Sequence, residues 1–224
     1  MTKVLITKNI TATHLKLLVD AELDYTVCSA VKFDISYKTN VVIQAIKTGN
    51  DWIFTSVNAV KAIHLLLTKY QKKFEQKIYC VGNPAYTLLT QLGYFSVTKF
   101  DTEKALSESI DWMEDKTYTY FCNNNLRNII PEKISAPKAA IEYIEVYTST
   151  LKNPKIQDVN YDYVLFFSPL AVKSILRKNP QLKSCHAICI GPATERIVRD
   201  QGVQKYSMPP KPTLRSMVEM IVES

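Results

Sequence analysis

The sequence predicts an α/β fold made of two similar lobes with parallel sheets. Three observations predict it. Short β-branched or aromatic runs alternate with longer stretches of helical period, the order expected of βαβ units. Several of the short runs are apolar throughout, as strands are when both faces of a sheet are covered. One strand–turn–helix pattern occurs twice.

The first strand is read at Lys3–Thr7, where Val4, Leu5 and Ile6 lie between polar neighbours, with a helix at Thr13–Leu23 and a second strand at Tyr25–Cys28. Trp52–Ser56 is an aromatic and β-branched run ending in serine, and Ala59–Tyr70 carries apolar residues at helical spacing. Lys77–Val81, Tyr86–Leu92, Ser96–Phe100 and Lys104–Glu114 continue the alternation, punctuated by Gly82-Asn83-Pro84 and Gly93. Tyr118–Cys122 and Ala139–Tyr147 are rich in aromatic and β-branched residues and read as strands. A strand at Tyr163–Ser168, a helix at Ala171–Asn179, a strand at Ala187–Ile190, a helix at Ala193–Gln201, a strand at Lys205–Ser207 and a helix at Thr213–Val222 complete the chain.

The repeat sets the domain organisation. Asp51–Ile63 resembles Asp162–Ile175, with one extra residue in the second copy, and serine, alanine, valine, lysine and isoleucine coincide. Downstream, Val81-Gly82-Asn83-Pro84-Ala85 pairs with Ile190-Gly191-Pro192-Ala193-Thr194, and Gly93 and Gly202 follow at equal intervals. The segment before residue 35 is too short for a lobe of its own. Joined to the C-terminal copy it gives a discontinuous lobe of residues 1–35 and 153–224, with a second lobe at 38–147. The expected crossings lie near 32–38 and 147–153.

The 224 residues carry 28 Lys and Arg against 21 Asp and Glu, a net charge of +7. The excess favours an anionic partner. The basic residues are dispersed, and the one tight pair, Lys72-Lys73, stands without a stripe of interleaved aromatics, so nucleic acid is not expected. After Met1-Thr2-Lys3 only three apolar residues precede Thr7, against the roughly 7–15 of a signal peptide, and no run reaches the roughly 18 of a membrane span. A soluble cytoplasmic monomer that binds no membrane is expected. Cys28, Cys80, Cys122, Cys185 and Cys189 are scattered and read as small buried hydrophobes. In Cys185-His186-Ala187-Ile188-Cys189 a strand would turn His186 away from both cysteines, and no second cluster completes a tetrahedron. No metal is expected.

In open parallel sheets ligands bind beyond the carboxyl ends of the strands. There the sequence offers Thr7-Lys8, Thr55-Ser56, Gly82-Asn83, Cys122–Asn125, Ser168-Pro169 and Gly191–Thr194. Singly, each hydroxyl reads first as a helix cap. Together with the N–H groups of helix first turns, they form weak cradles for carboxylate or phosphate. The glycine loops fit neither G-x-G-x-x-G nor G-x-x-x-x-G-K-[ST], so neither dinucleotide nor nucleoside triphosphate is indicated. No G-x-S-x-G elbow occurs, and Ser56 and Ser168 lack an evident partner histidine. Chemistry without a strong nucleophile or a cofactor is expected.

A series of pieces resembles the uroporphyrinogen-III synthase family. They are Trp52–Val60, Val81-Gly82 followed by Gly93, Glu145-Val146-Tyr147-Thr148, Leu165-Phe166-Phe167-Ser168-Pro169, and Ile190–Thr194 followed by Gly202. The resemblance implies two flavodoxin-like lobes joined by a flexible two-stranded linker. It also implies cofactor-free closure of hydroxymethylbilane to uroporphyrinogen III, in tetrapyrrole (heme) biosynthesis. The last pyrrole ring is inverted through a spiro intermediate. Such a substrate bears an acetate and a propionate on each pyrrole, which suits a basic protein. Tyr147 matches the family's tyrosine and is the candidate acid. Thr55, Ser56, Asn58, Ser168 and Thr194 match family positions and, with Gly191, are assigned to carboxylate binding. Lys8 and Arg127 at strand ends are assigned to propionates. Lys8 replaces a common arginine, the Cys122–Arg127 loop lacks a glycine and a second basic residue, and Ala193 replaces a second threonine. A hand-over of the bilane from the preceding enzyme is a further expectation.

Two other readings compete. One is a two-lobed homologue that binds small anions or tetrapyrroles without turnover. The other is a flavin-binding module, which rests on architecture alone.

Overall fold

The computed structural model describes residues 1–70, 76–109, 116–123, 140–158 and 160–223. The chain forms two compact units, one of Met1–Lys32 with Thr150–Ser224 and one of Phe33–Ser149. Both are α/β.

The first unit holds a five-stranded parallel sheet. Its strands are β1 (Lys3–Ile6), β2 (Asp24–Val27), β9 (Tyr163–Phe166), β10 (His186–Cys189) and β11 (Lys205–Ser207), in the order β11-β10-β9-β1-β2. Strand alternation divides the apolar side chains between two faces. Leu5, Val164, Phe166, Ala187 and Cys189 face α6 (Pro169–Lys178) and α7 (Pro192–Asp200). Val4, Ile6, Leu165 and Ile188 face α1 (Ala12–Asp20) and α8 (Leu214–Val222). Fully covered strands are why these runs read as apolar throughout. Cys185 joins the first face while His186 lies partly buried, stacked on Tyr163 and bonded to Ser207 at 3.0 Å.

The second unit holds a six-stranded sheet of β3 (Val31–Ile35), β4 (Asp51–Phe54), β5 (Ile78–Val81), β6 (Val97–Phe100), β7 (Thr117–Asn123) and β8 (Ala140–Leu151), in the order β3-β8-β7-β4-β5-β6. Trp52, Phe54 and Phe121 lie under α2 (Thr39–Lys47), α3 (Val57–Lys69) and α4 (Asn83–Gln91). Their rings are close-packed, with centroids 4.9 Å apart for Trp52 and Phe121 and 5.3 Å for Phe54 and Phe121. Ile53, Tyr118, Tyr120 and Cys122 occupy the other face with Leu106 of α5 (Glu103–Ser109). The charged start of β4, Asp51, is buried and neutralised by Lys116 at 2.5 Å.

The repeat is legible in the backbone. Ser56 caps α3 and Ser168 caps α6, each hydroxyl accepting a backbone N–H of the first turn. Gly93 and Gly202 both take positive φ, 84° and 75°, after α4 and α7. In each case the glycine N–H and the following N–H return to carbonyls of the last turn, the paired bonds of a Schellman motif.

Two elements have no counterpart in the sequence pattern. β3 is an edge strand whose Phe33 and Ile35 are exposed, so its pattern carries little burial signal. α2 buries only Val42 and Ala45. A short 3₁₀ turn at Pro180–Ser184 is likewise absent from the expected elements. β8 runs four residues past the expected Tyr147, to Leu151. The strand predicted at Ala139–Tyr147 and the helix at Lys104–Glu114 each extend beyond the described residues, as does the Lys72-Lys73 pair.

Candidate active site

The chemistry-bearing side chains of the second unit gather at the carboxyl ends of β4 and β7 and beside Tyr147 of β8. β4 ends at Phe54, and the chain passes through Thr55 to the N-cap Ser56. The Thr55 hydroxyl pairs with the Tyr120 phenol at 2.8 Å. The Ser56 hydroxyl accepts the Asn58 N–H at 3.1 Å and the Tyr147 phenol at 2.9 Å.

How Tyr147 reaches Ser56 depends on β8. Ile141 and Tyr143 face α5, while Ile144 and Val146 face α3. Strict alternation would return Tyr147 to the α5 side. The β7–β8 register shifts by one residue at this point: Cys122 pairs with Glu145, but Asn123 pairs with Tyr147. The extra residue moves Tyr147 onto the α3 face beside Val146, where it is 4% exposed. Burial raises the Tyr147 phenol above its ordinary value; its hydrogen bonds with Ser56 and Asn123 act in the opposite direction without overcoming it. Tyr120 and Tyr143 are pushed up by burial as well, Tyr143 to about 12.

The phenol is thus a protonated acid at neutral pH with two hydrogen-bond partners for its oxygen. A buried phenol so held can give up a proton to a departing oxygen.

A model of the family described as uroporphyrinogen-III synthase HemD matches residues 21–219. The chain belongs to the uroporphyrinogen-III synthase family. A uroporphyrinogen-III synthetase structure from Helicobacter pylori matches at TM-score 0.66 and 20% identity, covering 100% of this chain and 99% of that one. A mutant uroporphyrinogen III synthase from the extremely thermophilic bacterium Thermus thermophilus matches at TM-score 0.64 and 11% identity, covering 100% of this chain and 98% of that one. At these identities the likeness is one of fold. No curated protein matches the chain significantly by sequence. Among the candidate residues of this uroporphyrinogen-III synthase family member, only Lys8 lies before the matched span.

The remaining candidates of this family member belong to the first unit, apart from Arg127, which falls outside the described residues. Ser168 spends its hydroxyl on the Ala171 N–H at 3.1 Å. Gly191 precedes α7 with an extended backbone, φ −179°, so its conformation suits any residue. A Cβ there would meet nothing within 4 Å, and the Gly191 carbonyl accepts the Thr194 and Glu195 N–H groups at 3.0 and 3.1 Å. Thr194 is 2% exposed in that first turn. The Lys8 ammonium lies over the Phe167 ring, 4.2 Å from its centroid. Desolvation lowers its pKa, and its charge adds to burial in lowering that of His14. This cation is therefore suited to gain from an anionic partner.

Sequence reasoning finds Tyr147 and Ser56 separately but not their bond, which spans 91 residues. It places Asn123 only within the Cys122–Asn125 loop beyond a strand end and passes over Tyr120 and Phe33. The Phe33 ring, half exposed, packs tilted against Tyr147 at 6.2 Å. Among the described residues, no His, Cys, Asp and Glu are grouped so as to hold a metal, and no helix is long and apolar enough to cross a membrane.

Proposed function

We propose that the protein is a cyclising lyase that converts hydroxymethylbilane to uroporphyrinogen III with inversion of the last pyrrole ring. The observation that carries this reading is the Tyr147 phenol, buried, protonated and bonded to Ser56 in a member of this family. Tyr147 gives its proton to the hydroxyl of the terminal hydroxymethyl group. That group leaves as water, the adjoining pyrrole supplies the electrons, and an azafulvenium cation and a phenolate remain. Ring D attacks through its substituted carbon, forming a spiro intermediate that fragments and recloses inverted. The proton released when the ring regains aromaticity re-forms the phenol. The net change is loss of one water.

The pyrroles drive every bond change, so the protein's task is mainly positioning. Both ends of the bilane must be held so that closure without inversion is blocked. Lys8, Arg127, Gly191 and Thr194 are assigned to the substrate carboxylates, as are Thr55, Ser56, Asn58 and Ser168. Soluble, cytoplasmic and monomeric operation belongs to the same proposal, as does receipt of the bilane from the preceding enzyme.

The test is the isomer assay with no cofactor added. Purified protein is expected to yield the type III isomer, and Tyr147→Phe to lower that rate by about 10²-fold. Accumulation of type I alone, at the rate seen without protein, would overturn the reading. Tight tetrapyrrole binding in that case would favour the non-catalytic homologue.

A further inference from the structure

The one-residue shift between β7 and β8 does more than turn Tyr147. Asn123 is the last residue of β7, lies 3% exposed, and shares the α3 face with Phe121 two residues earlier. With the shift it stands opposite Tyr147; without it, Val146 would take that place. Its amide nitrogen has two protons. One is donated to Ser149 Oγ at 2.8 Å, and its side chain also hydrogen-bonds the Tyr147 phenol. Ser149 follows Tyr147 by two residues on the same strand, so Asn123 is tied to β8 at two points along it.

Ser56 lies on the other side of the phenol at 2.9 Å, itself fixed by its bond to the Asn58 N–H. The oxygen is therefore held between two side chains from different strand ends, each able to donate. We propose that Asn123 is a positioning residue for Tyr147: it holds the phenol on the α3 face and donates to its oxygen once the proton has been given up. This deepens the function proposed above and rests on it for the catalytic meaning of Tyr147. The positioning claim itself concerns this chain alone.

A packing role and a donor role predict different things. Burial alone would leave the phenol indifferent to which amide or aliphatic group fills the Asn123 site. A donor stabilises the phenolate, so its loss raises the pH at which the phenol titrates. Among the described residues, the other titratable groups bearing on Tyr147 are the Cys122 thiol and the Tyr120 phenol, both on β7, and Asn123 substitutions leave them in place.

The experiment follows the Tyr147 phenol by ¹³Cζ-tyrosine NMR across alkaline pH, with Tyr147→Phe assigning the resonance. Asn123→Leu and Asn123→Asp are compared with the parent protein. Both variants are expected to raise the Tyr147 titration by roughly one unit, the first by removing the donor and the second by replacing it with an acceptor. In the isomer assay the alkaline limb of kcat should move up in step, with KM little changed. If neither folded variant moves the phenol, the proposal fails; if one variant does not fold, the other decides. A moved phenol with an unaltered isomer assay supports the positioning and counts against Tyr147 as the acid.

Discussion

The Tyr147 phenol donates to Ser56 Oγ at 2.9 Å, joining β8 to the N-cap of α3 across 91 residues of sequence. Because Ser56 also caps the helix, one hydroxyl serves both the helix and the phenol. Ser56→Ala is expected to cost about 1–2 kcal/mol and Tyr147→Phe about 1 kcal/mol. Urea denaturation of the double variant should show a loss about 0.5–1 kcal/mol smaller than the sum. Strict additivity would mean that the two groups do not interact.

Helix α1 ends with the same paired backbone bonds as α4 and α7, from Glu22 to Val19 and from Leu23 to Leu18, yet Glu22 holds φ 52° where the others have glycine. A side chain in the left-handed region costs about 1 kcal/mol, so Glu22→Gly should stabilise by about that amount. Gly93→Ala and Gly202→Ala should destabilise by a similar amount. Thermal melting of the three variants checks the sign, and a lower melting temperature for Glu22→Gly would refute it.

Asp51 is buried at the head of β4 and receives Lys116 Nζ at 2.5 Å, with the Tyr79 phenol at 3.5 Å. Lys116→Met leaves that carboxylate without its cation and should cost about 1–3 kcal/mol. The hydrogen bond to Asp51 raises the Lys116 pKa above its ordinary value of 10.5. A raised lysine stabilises fully below that ordinary value and loses its contribution as pH climbs through the folded one. The stability gap between parent and variant should therefore hold from neutral pH to about 10 and shrink above it. A gap that shrinks between pH 6 and 9 would contradict this assignment.

Much of the architecture was legible because burial leaves a periodic trace. Val4, Leu5 and Ile6, or Trp52, Ile53 and Phe54, pack alternately on two covered faces, and that requirement alone forces apolar runs of strand length. The paired serines and glycines were legible for a local reason: a helix start needs an acceptor, and a left-handed residue after a helix favours glycine. β3 and α2 escaped because Phe33 and Ile35 are exposed and α2 buries two residues, so neither imposes a pattern. The fold on which Tyr147, Ser56 and Gly191 sit was thus written in their neighbours.

The sequence by itself determined the α/β class, the alternation of strands and helices, and the doubled strand–serine–helix and strand–glycine–helix pattern; the resemblance to the family is what points to Tyr147. Only the tertiary structure decided which face that tyrosine occupies. Alternation along β8 assigns Tyr147 to the α5 side, and a one-residue shift against β7 moves it to the α3 side, next to Ser56 and Asn123. Such a shift is a property of two strands paired at a distance in sequence, so no period within either strand encodes it.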